Sequence, residues 1–195
     1  MVETMGADVI QFQLDPEDVI LLLLEANERL LGKTELAGIT RLEKLLFLLE
    51  KETNFEGVAK LFVFKPHNFG PFSKEVYEAV DFLESCHLIQ VREKAHSTIY
   101  TRLDEAKLLS EISELEEDPE EGGTVKERIF ALTEDGRNVA KKIRELVGPS
   151  DARAVDTMLQ KYGLLPLSRL IRYVYHQYKD MTVNSVHPEA AGIRG

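Results

Sequence analysis

The stretch from Asp15 to Leu31 constrains the fold most, because it specifies a helix that is apolar over most of its surface. Asp15 is placed to cap it, Pro16 sits at the first helical position, and Glu17 and Asp18 put negative charge at the positive end of the helix dipole. Ile20, Leu23, Leu24, Asn27, Leu30 and Leu31 form one stripe, which Leu21 and Leu22 widen, and Gly32 ends the helix. Such a stripe must be covered by the rest of the fold. The run Val19 to Leu24 is far shorter than the roughly 20 apolar residues that cross a bilayer. With no basic start or apolar leader in residues 1–13, a soluble cytoplasmic protein with no membrane partner is expected.

A second helix is expected from a cap at Thr40, with Glu43 in the capping-box position and Leu42, Leu45, Leu46 and Leu49 on its inner side. Phe62 to Lys65 reads as a short extended segment, and Pro66 with Asn68-Phe69-Gly70-Pro71 reads as a turn. Ser73 caps a third helix, Lys74 to Ser85, with Val76, Tyr77, Val80, Phe82 and Leu83 inward. Residues His87 to Arg92 and Ser97 to Leu103 alternate as two strands joined near Lys94-Ala95-His96. A strand then covers Arg128 to Leu132, Thr133 caps a further helix, and Gly148-Pro149 ends it. Helices at Asp151 to Tyr162 and Pro166 to Tyr178 complete the chain.

This order gives an α+β fold, mainly helical, with a winged-helix-like core, a small antiparallel sheet and C-terminal helices. The expected division is a domain over residues 15–147 and a C-terminal helical extension over 151–185 packed on it. The domain carries an acidic insertion at 104–123 that separates two halves of a wing or sheet. The net charge of -10 is concentrated there: residues 104–121 hold nine of the 34 acids and one of the 24 bases. The rest of the chain is close to neutral, so a basic working face is not excluded.

Nucleophile elbows, phosphate-binding loops, dinucleotide fingerprints and zinc-protease motifs are absent from the sequence. The single cysteine, Cys86, cannot build a disulfide framework, and its neighbour His87 is poorly placed to act on it, because adjacent side chains rarely meet. The five histidines show no close ligand spacing. The reading is of a protein that is not an enzyme and takes no metal and no cofactor.

Two groups of residues remain as binding candidates. Arg41, Lys44, Lys65, Lys74, Arg92, Lys94 and Arg102 lie on the second helix, the turn, the third helix and the hairpin, where a winged helix meets duplex DNA. Against that reading, Glu75, Glu78, Asp81 and Glu84 make the third helix acidic. Arg169, Arg172, Tyr173 and Tyr175 on the last helix are residue types that favour protein interfaces.

Three segments carry a family resemblance: Thr40 to Leu49, Phe69-Gly70-Pro71-Phe72-Ser73, and Tyr173 to Ser185. Together they resemble prokaryotic winged-helix-like proteins similar to the phage-associated SocA-like (Panacea) family, over Gly38 to Ser185. Separately, Phe130 to Arg137 resembles the strand-to-helix junction of winged-helix regulators of the multidrug-resistance kind. The family resemblance implies toxin neutralisation or delivery of partners to proteases. The expected function is a winged-helix regulator that binds duplex DNA as a homodimer. The alternative is a non-catalytic adaptor or antitoxin-like module that binds protein.

Overall fold

The computed structural model describes residues 13–55, 57–97 and 124–184. Its elements run α1 (Pro16–Leu31), β1 (Glu35–Ala37), α2 (Ile39–Glu52), a 3-10 turn (Val58–Lys60), β2 (Lys65–His67), β3 (Gly70–Phe72), α3 (Lys74–Ser85), β4 (Ile89–Ser97), β5 (Thr124–Leu132), α4 (Glu134–Leu146), α5 (Gly148–Tyr162), α6 (Leu167–Gln177) and a 3-10 turn (Lys179–Thr182). The fold is α+β and mainly helical.

β1, β5 and β4 form an antiparallel sheet in that order, and β2 pairs with β3 in a separate hairpin. The order helix, strand, helix, hairpin, helix and two strands that close back on the first strand is the order expected of a winged-helix-like core. β1 was not anticipated, since three residues are too short to show a period. It pairs Leu36 with Phe130, and both are buried against the helices.

That short strand also resets the start of α2. The chain leaves β1 at Gly38, whose N–H donates to the Arg128 carbonyl at 2.9 Å, and Gly38 is the N-cap. Thr40 is therefore not the cap: it lies buried in the first turn. Glu43 is too far along the helix to form a capping box there and instead accepts the backbone N–H of Ser73 at 3.2 Å.

Residues 53–73 extend the connection between α2 and α3. The extended segment expected at Phe62 to Lys65 is displaced, because Lys65, Pro66 and His67 pair with Phe72, Pro71 and Gly70. α3 runs from Lys74 to Ser85 with Ser73 before it, as read from sequence, but Phe82 is 55% exposed and Ala79 is buried in its place. Val76, Ala79, Val80 and Leu83 define an inward arc that leaves position 82 outside.

The wing differs more. β4 continues to Ser97 because its partner is β5, in register from Ile89 opposite Leu132 to Ser97 opposite Thr124. Lys94-Ala95-His96 is strand, not a connection. β4 and β5 lie on either side of the acidic residues in the sequence; residues 98–123, including the expected insertion, the expected second strand beyond Ser97 and Arg102, lie outside the described residues. Gly148-Pro149 ends α4 and also opens α5, three residues earlier than expected.

α1 is the centre of the core. Every residue from Val19 to Asn27 is buried, since α3, α4, α5 and the sheet cover it from different sides. Leucines buried in this way contribute about 1.5–3 kcal/mol each. Val155, Leu159, Leu170, Ile171 and Val174 of α5 and α6 belong to the same continuous core. Ion pairs seal its edge: Asp156 accepts Arg29 and Arg144 at 2.6 Å each, and Arg137 grips Glu28 with both Nε and Nη2.

Candidate functional site

α3 and the wing form the surface with which a winged helix ordinarily meets its target. Ser73 turns the chain into α3, and its Oγ donates to Glu75 at 2.5 Å. Burial pushes the Glu75 carboxyl up, but the Ser73 hydroxyl and the N–H groups of Glu75 and Val63 outweigh it and hold the group below the ordinary range. Lys74 before it and Glu78, Asp81 and Glu84 further along are exposed. The side chains of Glu78 and Asp81 are 62% and 68% exposed, so their charge faces solvent or a partner.

The bases near this surface are mostly engaged by acids. Lys74 Nζ lies 2.8 Å from Glu78 Oε1, and that contact raises the Lys74 pKa. Arg128 reaches Asp81 at 3.2 Å, and Arg92 donates to Glu35 across the sheet. Lys94 stands opposite Glu127 in the strand register. Over α3, β1 and the described part of the wing, the four bases Lys74, Arg92, Lys94 and Arg128 are outnumbered by Glu35, Glu75, Glu78, Asp81, Glu84, Glu93 and Glu127, with Arg128 and Glu93 on one face of the sheet and Arg92, Lys94 and Glu127 on the other. A surface of that sign repels phosphate and attracts cations.

Two of the bases assigned to nucleic acid lie away from the surface. Lys44 is 1% exposed and donates to the Pro71 carbonyl at 2.8 Å, with Glu43 Oε2 at 3.7 Å. Its ammonium holds the β2–β3 hairpin against α2, so it does not reach a phosphate. Arg41 donates to the Leu165 carbonyl at 2.7 Å and ties α2 to the α5–α6 connection. Lys65 is exposed on β2.

The partner-binding group divides as well. Arg169 and Arg172 are exposed on α6. Tyr175 is fully buried and is not a surface residue; its ring packs so closely on Gly70 that a Cβ there would lie 2.8 Å from Cε1. Tyr173 belongs to a cluster that sequence reasoning missed. Its hydroxyl donates to Glu52 Oε1 at 2.6 Å, Tyr178 reaches the same oxygen at 3.2 Å, and Tyr162 and Lys161 reach Oε2, the latter at 2.9 Å.

Burial pushes the Glu52 carboxyl up, but Lys161 and the tyrosine hydroxyls more than offset this and hold it below the ordinary glutamate range. Burial and the Glu52 charge push the Tyr178 phenol up to about 12, and burial with the Glu52 contact also raises the Tyr162 phenol. The cluster joins the end of α2 to α5 and α6. Its donors and acceptors satisfy one another, which is the arrangement of a clamp.

A second feature absent from the sequence reading is a row of rings beside α3. His67 and Phe72 have centroids 4.8 Å apart at 33°, and Phe72 and Tyr77 have centroids 5.4 Å apart at 42°. The register of β2 and β3 and the first turns of α3 create this row. No sequence period spans the three residues.

Among the described residues, no group of three or more His, Cys, Asp or Glu side chains could hold a metal ion, and no helix is long and apolar enough to cross a membrane. Comparison with family models, curated proteins and solved structures gives no match in any of the three.

Proposed function

We propose that this protein is a non-catalytic interaction module that uses a winged-helix surface to bind a protein partner. The observation that carries this reading is the charge of α3: Glu78, Asp81 and Glu84 are exposed where a DNA reader presents its groove-contacting residues. Each carboxylate there would meet a phosphate of the same sign. The exposed ring of Phe82, one helical turn from Glu78, adds an apolar contact of the kind that anchors protein interfaces. The resemblance of the Thr40 to Leu49 and Phe69 to Ser73 segments to the SocA-like family agrees with an adaptor or antitoxin-like role.

Duplex DNA is the second reading, supported by winged-helix topology and by exposed Arg92 and Lys94 on β4. Fluorescence anisotropy with a labelled duplex, titrated from low to physiological salt, separates the two. The expected outcome is no saturable binding at low salt. Glu78→Lys combined with Asp81→Lys and Glu84→Lys is expected to create binding that weakens steeply with salt, because the topology then presents bases. Tight, salt-sensitive binding by the unaltered protein would overturn the proposal.

A further inference from the structure

The ring row and the α3 acids lie together, and they select among basic partners. Tyr77 and Asp81 are one turn apart on α3, as are Lys74 and Glu78. The row therefore runs from exposed His67 on β2 through half-buried Phe72 and Tyr77 towards exposed carboxylates. We propose that this surface docks an arginine-rich segment of a partner protein, with guanidinium groups stacking along His67, Phe72 and Tyr77 and pairing with Glu78 and Asp81. This inference rests on the protein-partner reading above.

Three observations favour arginine over other ligands. The rings neighbour one another in a row, tilted by 33° and 42°, and such ring surface gives a planar guanidinium more contact than a compact ammonium. Asp81 already accepts one guanidinium, that of Arg128, which shows that its carboxylate is within reach of such a group. The Lys74–Glu78 pair is exposed on both sides, so exchanging Lys74 for an incoming arginine costs little. Nucleobases also stack on rings, but they bring phosphates into a field of carboxylates.

The test uses the full chain and three labelled peptides of equal length at about 150 mM salt, where long-range charge attraction is screened. One alternates arginine with glycine, one lysine with glycine, and one citrulline with glycine. The expected result is binding of the arginine peptide about tenfold tighter than the lysine peptide, with none for citrulline. His67→Ala with Tyr77→Leu is expected to remove the preference for arginine while leaving thermal stability near that of the parent chain. Phe72→Leu, which keeps apolar volume, provides a separate ring removal should Tyr77→Leu unfold the chain. Glu78→Gln with Asp81→Asn is expected to weaken both cationic peptides. Equal binding of arginine and lysine peptides, no binding of either, or binding indifferent to ring removal would overturn the docking surface. Saturable duplex DNA binding under the same conditions, lost on Arg92→Ala with Lys94→Ala, would overturn the protein-partner reading itself.

Discussion

Lys44 carries a charge that the fold encloses between α2 and the β2–β3 hairpin. In the helix Ile39–Glu52 it reads as one more solvated base, yet its ammonium is enclosed and bonded to the Pro71 carbonyl beside Glu43. Removing one member of a buried charged pair leaves the other desolvated without compensation, so Lys44→Ala should destabilise by about 3–5 kcal/mol. Urea denaturation followed by circular dichroism measures this. Gly70 faces a different limit. Its φ of 90° and its contact with the Tyr175 ring leave no place for a methyl group, so Gly70→Ala should cost about 1–3 kcal/mol and lower the melting temperature. Neither constraint was legible in the sequence beyond the presence of a Gly-Pro turn. Both arise because the β2–β3 hairpin folds over α2 and α6, a long-range packing event that leaves no local pattern.

At the scale of elements, local signals were informative where a helix has a distinct beginning. Asp15-Pro16 and Ser73 placed α1 and α3 correctly, and Thr133 caps α4 by accepting the Gly136 N–H at 3.0 Å. Gly136 is itself constrained, since a Cβ there would lie 1.9 Å from the Leu88 carbonyl oxygen. Strand pairing was less legible. β4 was read as two pieces because its partner comes after the acidic insertion, and β1 was missed because its stability depends on β5. Phe82 was misplaced because it is apolar, although the arc of Val76, Ala79 and Leu83 excludes it.

The Glu52 clamp between α2, α5 and α6 gives the clearest pH dependence among these elements. Glu52 has a depressed pKa in the folded protein, so its contribution is present above the ordinary glutamate value and is lost as pH falls through the folded value. Tyr178 is raised to about 12 in the folded protein, so its contribution is full below 10.0 and is lost as pH rises from there towards about 12. Melting temperature should therefore fall above pH 10.0, the ordinary tyrosine value, and Tyr178→Phe should flatten that fall. Thermal scans at neutral and alkaline pH test this. An unchanged alkaline slope in Tyr178→Phe would exclude Tyr178 as its source. Glu52→Gln should cost about 1–3 kcal/mol at neutral pH, since it removes the charge that the hydroxyls and Lys161 surround.

For the whole molecule, the charge distribution decides more than the net charge of -10. Ser97 and Thr124 are the last paired positions of the wing, and the acidic residues 104–121 fall between them in the sequence. Replacing residues 104–121 with a short Gly-Ser linker should therefore preserve cooperative melting. It should also fail to create DNA binding, because the carboxylates of α3 remain. The order of charges along the chain places the excess in residues 104–121. It could not show that Arg92 and Arg128 pair with acids while Glu78 and Asp81 stay exposed, because those relations depend on how α3 and the sheet meet.

The proposed preference of the α3 face for a basic protein segment over duplex DNA has a direct test. A heteronuclear NMR titration of the full chain with the arginine peptide, and separately with duplex DNA, tests it residue by residue. Peptide-induced shifts should concentrate in Lys65 to Phe72 and Lys74 to Ser85, with no saturable shifts from DNA. Saturable DNA-induced shifts along α3 and β4, with peptide shifts absent from α3, would contradict it.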